Sequence, residues 1–172
     1  GRMNLYSEHP FKVLMDYGHN AHAVSAMADL AQRLDVTGRR IVVFTGPGDR
    51  RDEDLRAISA AVARKFDHYI VRRDDALRGR DGDEVPRIIA QALRDGGVDA
   101  SSITVIPDEQ RATDAALRMA RPGDLVLMFA DQLTRTWKQI VKFQPDGEQP
   151  KQPARVELPA LEPAPDETQL SE

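Results

Sequence analysis

Five short apolar runs, each separated from the next by a longer amphipathic stretch, constrain this chain more than any other feature. The runs at 12–17 (KVLMDY), 40–45 (RIVVFT), 68–71 (HYIV), 103–106 (ITVI) and 124–129 (DLVLMF) are aliphatic or β-branched and mostly lack polar alternation. Strands of that kind are buried on both faces, as in a parallel sheet covered on each side. Between them, residues 21–34, 53–65, 83–94 and 109–120 carry apolar side chains at helical spacing, and 132–142 closes the series as a last helix. Residues 4–6 are placed to pair with the first run as a hairpin turning at His9-Pro10. The alternation predicts an α/β domain with a Rossmann-like, open, mostly parallel sheet and helices on both faces.

In such sheets ligands bind beyond the carboxyl ends of the strands. The segments to inspect are therefore 16–21, 45–52, 71–80 and 129–132, which hold many of the charged and glycine residues. The first contains Asp16-Tyr17-Gly18-His19-Asn20. A carboxylate leaving a strand tip can take ribose hydroxyls, and an imidazole can stack on a base or reach a phosphate. Equally, Asp16 can be a turn residue, Asn20 a helix cap and His19 exposed filler. The second, Thr45-Gly46-Pro47-Gly48-Asp49-Arg50-Arg51-Asp52-Glu53, brings flexible backbone to a helix start, where Arg50 and Arg51 either clamp a phosphate or pair with nearby carboxylates. The third, Arg72-Arg73-Asp74-Asp75-Ala76-Leu77-Arg78-Gly79-Arg80, reads either as a solvated ion-pair network or as a recognition site for a zwitterion.

Composition narrows the classes. With 24 basic and 28 acidic residues in 172, the formal charge of -4 argues against nucleic-acid or membrane-surface partners. The absence of cysteine removes disulfides, thiol nucleophiles and thiolate-bound metals. No apolar run approaches the roughly 20 residues needed to span a bilayer, so a cytoplasmic protein is expected. Residues 144–172 hold seven acidic residues, two basic ones and six of the eleven prolines, which leaves residues 1–143 close to neutral. Lacking periodicity and aromatics, 144–172 is expected to be a disordered tail to a folded domain at 1–143. Neither a G-x-x-x-x-G-K-[ST] loop nor a G-x-G-x-x-G fingerprint occurs, so the chain has no complete phosphate cradle of its own.

Five motifs in order carry a family resemblance: Gly1-Arg2-Met3-Asn4-Leu5; Lys12 to Asn20; Gly46-Pro47-Gly48-Asp49-Arg50-Arg51-Asp52-Glu53; Asp74-Asp75-Ala76-Leu77-Arg78-Gly79-Arg80; and Pro122-Gly123-Asp124-Leu125-Val126 through Thr134-Arg135-Thr136-Trp137-Lys138-Gln139-Ile140. Together they resemble the C-terminal domain of the Mur ligase superfamily, and within it the cyanophycin synthetases. That resemblance implies an ATP-dependent amide ligase working through an acyl phosphate, with a phosphate-loop domain and most Mg2+ ligands in a preceding central domain joined near Gly1-Arg2. Arg2, Asp16, His19 and Asn20 would then contact the nucleotide, and Asp49 and Arg50 would order the adjoining loop on domain closure. Asp74, Asp75, Arg78 and Arg80 would bind the incoming amino acid, Arg78 taking its α-carboxylate and an aspartate its cationic end. In the cyanophycin branch that amino acid is arginine, added to the β-carboxylates of an aspartate-rich polymer by a homo-oligomer serving nitrogen storage. Ala21-His22 replaces the proline that usually follows His-Asn, and Phe129-Ala130-Asp131-Gln132 replaces the Gly-Lys-Gly-His-Glu stretch of murein peptide ligases. The second departure favours the cyanophycin branch. Trp137 reads as core before substrate platform. A Mur-type ligase domain for another amino acid, or a non-catalytic module of the same fold, is the alternative.

Overall fold

Leu125–Phe129, every residue of it buried, is the strand around which the rest is assembled. The computed structural model describes residues 3–146; Arg2 and the segment 147–172, most of the expected tail, lie outside the described residues. In chain order the elements are β1 (Asn4–Tyr6), β2 (Lys12–Asp16), α1 (Ala21–Arg33), β3 (Arg40–Phe44), α2 (Asp52–Val62), β4 (His68–Val71), α3 (Glu84–Asp95), a short 3-10 turn at Ala100–Ser102, β5 (Ile103–Val105), α4 (Glu109–Met119), β6 (Leu125–Phe129) and α5 (Leu133–Lys142). The six strands lie in the order β1-β2-β6-β3-β4-β5. β1 runs antiparallel to β2, in a hairpin pairing Leu5 with Leu14, and every other pairing is parallel.

The apolar runs are continuous because each inner strand feeds two cores. Leu14, Val42, Phe44, Leu125, Leu127 and Phe129 pack under α1, α2 and α3. The intervening Val13, Met15, Ile41, Val43, Val126 and Met128 pack under α4 and α5, where Ala112 and Ala116 let α4 approach closely. Trp137 belongs to this second core, edge-on to Tyr6 with ring centroids 5.8 Å apart. Element boundaries differ from the sequence expectation by a few residues at most. α2 stops at Val62, where Ala63 turns to an extended ψ of 133° and Arg64 follows in a left-handed conformation with φ 64°.

The insertion of β6 between β2 and β3 reverses the direction in which the sheet grows. At this point the loops leaving the strands diverge and leave a crevice at their carboxyl ends. No helix among the described residues is long and apolar enough to cross a membrane.

Candidate functional site

A cleft of about 260 Å³ opens over the carboxyl ends of β2, β3, β4 and β6. Its walls include Tyr17, Gly18 and His19 after β2, Asp49 and Arg50 after β3, Arg72, Asp74, Asp75 and Arg78 after β4, and Asp131 and Gln132 after β6. A second cavity of about 400 Å³ adjoins it between the starts of α1 and α2, and His19 and Arg50 border both. Loops distant in sequence and rich in charge thus meet in one place.

After β2 the chain turns on Asp16, whose Oδ1 accepts the Gly18 N–H at 2.7 Å. Asp16 itself is not part of the cleft lining, and its carbonyl accepts the Ala130 N–H, which ties this turn to the loop after β6. Asn20 caps α1, its Oδ1 accepting the Ala23 N–H at 2.9 Å, and it lines the second cavity. His19 is exposed beside the Tyr17 ring at 5.0 Å.

Two arginines stitch the loop after β3 to the loop after β4. Arg78, held at φ 51°, places Nη1 3.0 Å from Asp49 Oδ2 and Nε 3.5 Å from Asp74 Oδ2. Arg80 does not line the cleft. Its guanidinium donates to the carbonyls of Gly48 and Arg50 and pairs with Asp52 at 2.8 Å and Glu84 at 2.7 Å. At Gly48 the loops touch directly: a Cβ there would overlap the Leu77 carbonyl oxygen.

The deepest wall is one that the local sequence does not reveal. Arg72, at the end of β4, is 1% exposed. It grips Asp131 with both terminal nitrogens, at 3.0 and 3.1 Å, and donates to the Phe129 carbonyl at 2.9 Å. The charged run 72–80 is therefore not wholly a solvated network; its first arginine is interior. Glu109, at the start of α4, is equally buried and accepts from the Asp131 N–H, the Gln132 N–H, Thr136 Oγ1 and Arg135 Nη2. Arg135 reaches on to Asp75 Oδ2 at 3.1 Å. One signal was present for Glu109: it shares helical spacing with Ala112, Thr113 and Ala116, the buried face of α4. The burial of Arg72 and the tie between Asp131 and Arg72 depend on strand order and leave no local trace.

These contacts set the charge states. Burial pushes the Asp74 carboxyl above the usual range, and the neighbouring Asp131 charge adds to it. Burial also opposes the Asp131 charge, yet the Arg72 guanidinium more than offsets that and holds Asp131 below the usual range. Among the described residues no group of three or more His, Cys, Asp and Glu is placed to hold a metal ion.

Residues 1–131 match the family described as the Mur ligase, glutamate ligase domain. A cyanophycin synthetase of Geminocystis herdmanii is 36% identical over 143 residues, covering 83% of this chain and 16% of that protein. A UDP-N-acetylmuramoyl-L-alanyl-D-glutamate--2,6-diaminopimelate ligase of Aquifex aeolicus is 31% identical over 129 residues, 75% of this chain and 26% of that one. The chain thus spans well under a third of these relatives. Among solved structures, a ligase of that diaminopimelate type superposes with a TM-score of 0.67 at 20% identity, covering 82% of this chain and 31% of that one. A Mycobacterium tuberculosis folylpolyglutamate synthase, solved with ADP and AMPPCP, gives 0.58 at 21% identity over 84% of this chain and 33% of the other. The reversed sheet and the extent of the family match agree with the motif resemblance, and the chain belongs to the Mur ligase family as a C-terminal, glutamate ligase domain.

Proposed function

We propose that this domain supplies one wall of the nucleotide site and the amino-acid site of an ATP-dependent amide ligase of the cyanophycin synthetase type. The reaction would join arginine to the β-carboxylates of an aspartate-rich polymer, with a phosphate-loop domain of the same enzyme as the facing partner. The observation that carries this reading is the cleft itself. Arginines and aspartates from three loops face each other there, at the strand ends where this architecture takes ligands. The identity to cyanophycin synthetases supports the choice of amino acid.

Each side chain has a task in this reading. Asp16 meets ribose hydroxyls, and His19, Asn20 and Arg50, which border the second cavity, hold the nucleotide end. Arg2, outside the described residues, is assigned to the same ligand. ATP, when bound, supplies the phosphoryl group that activates the carboxylate. Arg78 is half exposed, and in taking the amino acid's carboxylate it exchanges or shares its bond to Asp49. That exchange links amino-acid binding to the loop after β3. Asp74 and Asp75 face the cationic end. Arg80 keeps the two loops in register. The domain contributes positioning and charge neutralisation at the developing acyl phosphate.

The test is a pair of variants in the full-length ligase. Arg78→Ala removes a charge-assisted bond and should raise KM for arginine roughly tenfold to a hundredfold, with little change for ATP. Asp16→Ala should act in the opposite sense, on ATP. An unmoved arginine KM in Arg78→Ala would remove the substrate assignment.

A further inference from the structure

Behind the cleft, five charged side chains form a series in which sign alternates, and a backbone N–H closes it into a ring. Asp131 pairs with Arg72 at 3.0 Å and Arg72 with Glu109 at 3.4 Å. Glu109 pairs with Arg135 at 3.1 Å and Arg135 with Asp75 at 3.1 Å. The Asp75 N–H, donating to Asp131 Oδ2 at 3.3 Å, completes the circuit. The members come from the end of β4, the loop after it, the start of α4, the loop after β6 and the first turns of α5. Of the ring, Asp75, Asp131 and Arg72 line the cleft, whereas Glu109 and Arg135 are not part of its lining and stand behind it.

Burying Arg72 and Glu109 costs desolvation energy, and a buried ion pair rarely stabilises a fold better than apolar side chains of the same volume. What such a lattice does provide is a fixed geometry. The Asp75–Arg135 pair would be worth little alone, since both side chains are more than a third exposed. Arg135, however, is already aimed by Glu109, which Thr136 Oγ1 and the Asp131 N–H hold in turn at 2.8 Å.

We propose that Glu109 and Arg135 are positioning residues for amino-acid recognition, holding Asp75 and Asp131 at fixed places on opposing loops of the cleft. This rests on the reading that residues 74–78 receive the amino acid. Neither residue touches substrate; both act through the two aspartates. The ring carries three negative and two positive groups, so its cleft side keeps an excess negative charge facing a cationic substrate.

Steady-state kinetics of the full-length ligase with Glu109→Gln, Arg135→Gln and Arg135→Lys test this, with Arg78→Ala alongside. Glu109→Gln and Arg135→Gln should raise KM for the amino acid roughly five- to tenfold, leaving KM for ATP within about twofold. Arg135→Lys, which keeps the charge, should recover part of the loss. A structural role alone would move both KM values together or lower only the active fraction; either result overturns the proposal, as does an unmoved amino-acid KM. If Glu109→Gln does not fold, Arg135→Gln decides, because its side chain is 38% exposed. An effect of Arg78→Ala on the amino acid without one from Arg135→Gln leaves the site reading intact and removes the positioning role. No effect of Arg78→Ala removes both.

Discussion

Asp74 and Asp131 have the same side chain and share one cleft, yet their surroundings drive their protonation apart. Asp74 is raised by burial and by the Asp131 charge, whereas Asp131 is lowered by Arg72 against the effect of burial. The stability consequences have opposite signs. Asp131, depressed in the fold, contributes stability that is complete above its ordinary value of 3.8 and lost as pH falls through its folded value. Asp74, raised in the fold, contributes stability that is present below 3.8 and lost as pH rises through its folded value. Carboxyl-resolved NMR titration should show Asp74 taking its proton first. In Asp131→Asn the Asp74 midpoint should move down toward the ordinary value, because the Asp131 charge, one of the causes that raise it, is gone; an unchanged midpoint would refute the pairing. Little of this was legible beforehand. Asp74 stood out in a charged run, but nothing in the sequence beside Asp131 points to Arg72 until the neighbouring strands bring the two together. Asn20, by contrast, kept the local role that its place before a helix announces.

At the level of elements, the apolar pattern identified the five parallel strands and the five α-helices, because strands feeding two cores and helices feeding one carry different repeats, but not the 3-10 turn at Ala100–Ser102. The periodic pattern is silent about contacts between loops. The N-terminus of α5 has no side-chain cap of its own; Glu109 of α4 accepts the Asp131 and Gln132 N–H groups instead. Likewise, Gly48 looked like one glycine of a flexible phosphate-approaching turn, and its immediate role is contact with the neighbouring loop. A methyl group there meets the Leu77 carbonyl, a backbone atom that cannot swing aside. Gly48→Ala should therefore push the loops after β3 and β4 apart and cost about 1–3 kcal/mol in urea unfolding, with weakened protection of the Arg80 amide, which donates to Leu77. Wild-type stability and exchange in that variant would show that the loops are not in contact at this point.

Across the whole molecule, two cores on one sheet give the loops a rigid support, and on the proposed reading the cleft they frame is one wall of a larger site. Arginines are present, yet every cleft arginine except Arg50 is paired with a carboxylate through a described ion pair. The sequence contains no G-x-x-x-x-G-K-[ST] loop, and the described residues build no cluster of metal-binding side chains. A triphosphate with its cation needs converging backbone N–H donors, a lysine and metal ligands. Helix starts alone, such as that of α2 beside Arg50 and Arg51, cannot meet that need. On the proposed reading, the purified 172-residue chain should form no amide product from ATP, arginine and an aspartate polymer, as followed by phosphate release and by mass of the polymer. On the same reading, fusing a phosphate-loop domain ahead of the chain should give turnover, its charges and donors then facing the cleft. Ligation by the isolated chain would place a complete phosphate site within it and contradict the division of labour argued from its loops.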